Sequence, residues 1–514
     1  MERRPQTLEF PLGGLDRSLS YQTQPPYSTT DALNVLPQDG ALERARGGLR
    51  PATVKYSSNG WGSRFRCLNT FSSIDGVRSL IGATVSGGVS YASISGGAAS
   101  NGANLNTTGR VQCVQYGKRV YFVGDDVQSM PVYAEYSDLG AVSGIGAMTL
   151  ESGKEPLVAF PASYPRCIAV KYNRLWLSWN GGTTSSAGFA SRYWASKVGN
   201  ERNFEDDAGL ANTDAFSAEL NTDRQLITAM IPWYDNYMVF TTATTTYVLT
   251  GDPRKGGIMR QISGRIGIVD CASWTIGEDN TIYAMSNSGP IMLTPQNPFG
   301  EPTLLMKDKL PGVLTVPEGD TDYTFAYDSR ARRLYVFCPH RTATANVDHW
   351  VLDLRTKSFW PIRFASTDHE PFACVQIKEI SSERSDLLMG CRDGYLRYWN
   401  ETQAQDDGSN ISSYVMLGPY RIDEEHDCRI AELIGTLSTS SGRVVVSLHV
   451  GNSAQAAASA ASSWSNAWTA GRNKKDRPRI RGGVFYVKIS GTANARWEFE
   501  HALANLSLGG KLRL

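Results

Sequence analysis

A strand–turn–strand passage recurs down this chain and restricts its fold more than any other feature. An apolar strand ends in an aromatic, turns through Gly, Asn or Asp, and returns as an aromatic-rich strand. Val114-Gln115-Tyr116-Gly117-Lys118-Arg119 leads into Val120-Tyr121-Phe122-Val123, and Val170-Lys171-Tyr172-Asn173-Arg174 into Leu175-Trp176-Leu177-Ser178-Trp179. Ile231-Pro232-Trp233-Tyr234-Asp235-Asn236 leads into Tyr237-Met238-Val239-Phe240. Further copies pass through Asp279-Asn280 into Ile282-Tyr283-Ala284-Met285, and through Tyr327-Asp328 into Leu334-Tyr335-Val336-Phe337. A looser copy runs from Cys374-Val375 to Leu387-Leu388-Met389. The copies start roughly 45 to 60 residues apart, the period of propeller blades. Six blades are countable, and a unit at Ser79 to Ile94 makes a seventh.

The reading is an all-β protein in three parts: an extended N-terminal arm over 1–50, a propeller of six or seven irregular blades over 51–405, and a β-sandwich-like domain over 406–514. Gly13-Gly14, Pro25-Pro26, Pro37 and Gly47-Gly48 break up any regular element in the arm. Within the repeats a second strand pair is visible, as in His349 to Leu354 returning through Ser358-Phe359-Trp360. Arg392-Asp393-Gly394 turning into Tyr395 to Trp399 is a strong hairpin signal. Beyond the polar break Gln405 to Asn410, alternating strands appear at Arg443 to Val450 and Val484 to Ile489. The Ala/Ser-rich stretch Ala454 to Ser463 reads as a short helix or a loop.

The balance of 51 basic and 50 acidic residues, net charge +1, removes any global pull toward nucleic acid or anionic membrane. The start Met1-Glu2-Arg3-Arg4 has no apolar signal core, and no apolar run is long enough for a membrane helix. The eight cysteines are scattered without a C-x-x-C pair. They read as small buried residues of a protein folded in a reducing cytoplasm.

Catalytic signatures are missing: no G-x-S-x-G, Walker A, H-E-x-x-H or C-x-x-C occurs, and the chain reads as no enzyme, with no cofactor or metal implied. Sialidase-type boxes and WD40 pairs are absent too. Asp423-Glu424-Glu425-His426-Asp427 either holds a hard cation or is a solvated strand end. Glu318-Gly319-Asp320-Thr321-Asp322 reads as an acidic turn, and Glu205, Asp206 and Asp207 either pair for acid–base work or face solvent. The Trp and Tyr of the repeats either line a glycan site or fill wedges between blades. The basic stretch Arg472, Lys474, Lys475, Arg477, Arg479, Arg481 either grips phosphate or an acidic partner, or keeps a hairpin tip soluble.

The arm carries an ordered series: Pro11-Leu12-Gly13-Gly14-Leu15-Asp16, Pro25-Pro26-Tyr27, Asp31-Ala32-Leu33-Asn34-Val35, then Arg44-Ala45-Arg46-Gly47-Gly48-Leu49. It resembles the opening of phage tail proteins of the nozzle and packaged-DNA-stabilisation type. Tyr247 to Pro253, the segment Ile262 to Val269, Asn280 to Gly289 and Arg479 to Phe485 are similar to later stations of that family. The resemblance implies a structural protein of the virion tail, assembled in the host cytoplasm. Six copies would surround a channel below a portal or adaptor ring, neighbour tail fibres or spikes, and let double-stranded DNA pass at ejection. It implies an arm that ties neighbours or the adaptor, with Leu12, Leu15, Tyr27, Asn34 and Arg46 as candidate contacts. Two other readings stand beside it: a glycan-binding propeller for receptor recognition, and a propeller hydrolase with a carboxylate site.

Overall fold

Two-residue turns with left-handed backbone explain the recurring passage. Tyr172 and Asn173 both have φ of 54° and join Lys171 directly to its partner Arg174, a twist that matches the flanking strands. Gly117 does the same work at φ 57° between Tyr116 and Arg119. The computed structural model describes residues 3–511 apart from 39–43, 73–77, 87, 95–99, 102–104, 106–108, 125–129, 138–141, 162, 181–189, 207–210, 221–224, 315–318, 343–344, 379–384, 423–425 and 474–475.

Among the described residues these hairpins assemble into seven four-stranded antiparallel sheets, the larger of the two blade counts read from the sequence. Their innermost strands are Phe65–Ser72, Val111–Tyr116, Pro165–Lys171, Ala229–Trp233, Trp274–Ile276, Thr324–Asp328 and Pro371–Lys378. Blade 7 takes its outer strand from the other end of the propeller, because Ala52–Lys55 pairs with Leu396–Asn400. An apolar wedge fills each gap between neighbours. One example is Trp176, Tyr193, Met230 and Phe240 between blades 3 and 4. Another is Phe65, Leu80, Ile377 and Leu388 between blades 7 and 1, so the series of wedges returns to its start. Trp176, Trp179, Trp194, Trp233 and Trp360 are fully buried there, which is the packing reading of the repeat aromatics.

The C-terminal region is a two-sheet sandwich, but it is not built from 406–514 alone. One sheet joins His426–Leu437 and Glu498–Lys511 to three strands of the arm, Arg3–Glu9, Val35–Pro37 and Gly47–Leu49. The other contains Tyr414–Tyr420, Val444–Gly451, Ser462–Trp468 and Val484–Gly491, with Ala32–Leu33 of the arm at its edge. Leu8, Phe10, Val35, Leu36 and Leu49 therefore lie in the same core as Leu433, Val446, Trp497 and Phe499, and that core runs on into Tyr335 and Trp360 of blade 6. The Ala/Ser stretch forms a short helix, Ala454–Ser459, with Ser453 accepting from the Ala456 N–H. No helix among the described residues is long and apolar enough to cross a membrane.

Candidate functional site

The arm residues expected to tie neighbouring copies are, for the most part, spent inside their own chain. Leu15 is fully buried against blade 6, in the cluster of Tyr283, Met306 and Phe359, and Leu12 packs on the sandwich core. Asn34 takes left-handed backbone at φ 55°, which Asn tolerates, and donates to the Ser412 carbonyl at 2.7 Å. Arg46 bridges Glu498 and Glu500 at 3.3 and 3.4 Å. Gly48 passes so close to the chain opposite that a Cβ would stand 2.0 Å from the Trp497 carbonyl oxygen. The exception is Tyr27, 65% exposed, on a loop that also exposes Leu19 and Tyr21.

At the centre of this joint lies an ion pair that sequence reading missed. The Arg50 guanidinium grips Asp406 two-pronged, Nη1–Oδ1 at 3.0 Å and Nη2–Oδ2 at 2.5 Å, with neither side chain more than 1% exposed. Arg50 Nε donates to Asn34 Oδ1, and its other hydrogens reach the Pro51 and Arg363 carbonyls. Asp406 also accepts from the Thr53 and Ala365 N–H groups. Burial pushes its carboxyl up, but Arg50 and those donors hold it below the usual carboxylate value. Arm, propeller and sandwich thus meet in one saturated network.

The second candidate is the propeller's central channel, a cavity of about 300 Å³ lined by the inner strands of blades 1, 2, 6 and 7 and by Cys271 and Trp274 at blade 5. Arg110, at the start of the blade 2 inner strand, reaches across it. Its Nη2 donates to the Tyr323 carbonyl at 2.8 Å, its Nη1 to Thr324 Oγ1 at 3.1 Å, and its Nε faces Asp270 at 3.5 Å. Burial alone would raise the Asp270 carboxyl, and Arg110, Cys271 and Arg166 bring it below its ordinary value instead. Cys67 beside Cys113 is pushed up by burial, and Cys271 by its contact with Cys167 and by burial, so these thiols stay protonated and unreactive. All eight cysteines are free. The signal for this site is an Arg at or just before an inner strand, as at Arg66, Arg110 and Arg166, but a lone Arg before a strand is too common to single out.

No protein-family model and no curated sequence matches the chain. Solved structures do resemble it. A streptogramin B lyase is 12% identical at a TM-score of 0.42, over 68% of this chain and 98% of that one. A catalytically inactive virginiamycin B lyase from Staphylococcus aureus with quinupristin is 13% identical at 0.42, over the same shares. BBS1N in complex with ARL6DN is 11% identical at 0.40, over 69% of this chain and 99% of that one. At this distance no activity or partner transfers to this chain.

The remaining sequence candidates do not converge. Glu205 pairs with Lys154 at 2.5 Å, and Asp206 accepts from the Leu157 N–H and the Ser217 hydroxyl, so both serve loop structure; Asp207 lies outside the described residues. Asp320 accepts from Thr342 and Asp322 pairs with Arg341, a braced turn, while Glu318 lies outside the described residues. Asp423, Glu424 and Glu425 also lie outside them, and no group of three metal-ligating side chains occurs among the described residues. Of the basic stretch, Arg472, Arg477, Arg479 and Arg481 are exposed at the sandwich edge, and Lys474 and Lys475 lie outside the described residues.

Proposed function

We propose that this chain is a structural virion protein of a phage tail, a nozzle subunit that joins further copies in a ring of six below an adaptor and gates genome ejection. The observation that carries this reading is the joint. The residues of the arm series, Leu15, Asn34 and Gly47 to Leu49, all lock the arm between sandwich and propeller. Those residues join a propeller and a sandwich into one body, which supports an architectural role for the series. The Gly-Asp-Pro turn behaves alike, with Asp252 capping its own turn and pairing with buried Arg174 at 3.2 Å.

The channel within one subunit has the volume of a small-molecule site and is crossed by Arg110. DNA would run between copies and not through a propeller. With most of the arm consumed internally, its exposed loop, Leu19, Tyr21 and Tyr27, is the surface offered to a neighbour or to the adaptor and fibre proteins.

Light scattering of the purified chain, with negative-stain images of the same fractions, tests the reading. The expected result is a ring, most tellingly of six copies. A single monomeric species up to high concentration would overturn self-assembly. It would shift the assignment to a glycan-binding module, for which the groove of about 430 Å³ lined by Gln6, Gln22, Gln24 and Tyr27 is the place to look.

A further inference from the structure

In a chain of net charge +1, Arg472 to Arg481 gathers six cations around one acid, Asp476. The structure removes that acid from play. The Asp476 carboxylate is turned to the sandwich, where it accepts from Asn466 Nδ2 at 2.6 Å and Trp468 Nε1 at 2.7 Å. The Arg472, Arg477, Arg479 and Arg481 side chains are exposed, and Arg477 Nε makes a long ion pair with Glu432 Oε1 at 3.8 Å.

Two further features hold these cations at a local cost. Arg481 stands directly opposite Arg429 in the sheet register, and like charges so placed repel. Arg479 adopts left-handed backbone at φ 56°, where a long side chain is uncommon. The segment is nevertheless fixed to its neighbour by bonds between Asp476 and Leu433 and between Ile430 and both Arg479 and Ile480. An anion with several charges offsets the repulsion between Arg481 and Arg429. The residues between the arginines offer no apolar patch: none of the large exposed apolar side chains falls in this stretch, and Ile480 packs on the core. A protein interface needs an apolar centre, and a membrane-surface segment needs an apolar face. A polyphosphate needs neither, and guanidinium groups match its oxygens in pairs.

We infer that this edge binds the backbone of double-stranded DNA without reading its sequence. The inference stands on surface chemistry and goes beyond the ring reading, so light scattering of the same variants separates a failure of one from a failure of the other. Its test is fluorescence anisotropy of a labelled 24-base-pair duplex with the full chain between about 50 and 300 mM salt. Four arginines on phosphates give a log–log salt slope of about −3 to −4. The Arg479→Gln/Arg481→Gln double variant should lose about 2 of that slope and bind at least several-fold more weakly, while Arg479→Lys/Arg481→Lys keeps most of the slope. A second duplex of unrelated sequence should bind equally. The inference is overturned by absence of binding at the lowest salt. It is also overturned by an unchanged slope in a Gln variant that melts like the parent protein, or by polyglutamate competing as well as DNA at equal charge.

Discussion

Arg50 and Asp406 sit where water does not reach, and their own side-chain polar atoms are all hydrogen-bonded. Removing one partner leaves a buried charge alone, so Arg50→Met should destabilise the protein by about 3–5 kcal/mol, measurable by chemical denaturation. Asp406→Asn in the same background should recover part of the loss, since the stranded charge is then gone. His349 gives a different residue-scale expectation. Its Nδ1 accepts from the Cys338 N–H, and burial, with Arg50, His340, Arg392 and Arg363 nearby, pushes its pKa down to about 3. The unfolded chain takes up that proton near pH 6.5 and the folded chain does not. Stability should therefore fall as pH drops from about 6.5, by up to about 1.4 kcal/mol per pH unit from this group. Glu370, raised by burial, contributes an opposite slope in both proteins. His349→Asn, which keeps an acceptor, should melt with a shallower pH dependence between about 6.5 and 4.5. Neither site was legible in the sequence. Arg50 closes a Gly-Gly-Leu-Arg run and Asp406 sits 356 residues on in a polar break, and nothing local to either announces the other.

At the scale of elements, the hairpins were legible because each carries its own turn chemistry. Tyr172-Asn173 and Asp393-Gly394 declare their strands within a few residues. The arm was not, because its strands Val35–Pro37 and Gly47–Leu49 are only three residues long, pair with each other, and join the sandwich sheet only where Gly47 and Gly48 pair with Phe499 and Glu498. Short Gly- and Pro-rich pieces read as extended chain whether they pair at home or abroad. The distinction changes what truncation should do. An arm that only ties neighbours could be removed without harm to the subunit, whereas this one supplies four strands and Leu8, Phe10, Val35, Leu36 and Leu49 to the sandwich core. Deleting residues 1–50 should therefore expose 406–514 to limited proteolysis, read by mass spectrometry, while fragments spanning the blades persist longer. A resistant C-terminal fragment would mean that the arm strands are dispensable to the sandwich.

The whole molecule reads as one body because its core does not stop at the domain boundary drawn from sequence. Trp360 of blade 6 shares a cluster with Phe10 of the arm and Phe499 of the sandwich, and Phe10 stacks on Trp360 at 5.3 Å between ring centroids. This continuity ties the propeller to the sandwich through shared side chains, as the proposed ring assembly would require of its subunit. The pairing that makes the body also sets an order in time. Ala52–Lys55 waits for Leu396–Asn400, and Arg3–Glu9 waits for partners between His501 and Ser507. At about 5–20 residues per second on the ribosome, the first strand made spends roughly 25–100 s without its partner. Through that interval Leu8 and Phe10 are carried bare on the nascent chain. Arg3, Arg4 and Pro5, poor templates for stray strand addition, stand just ahead of them.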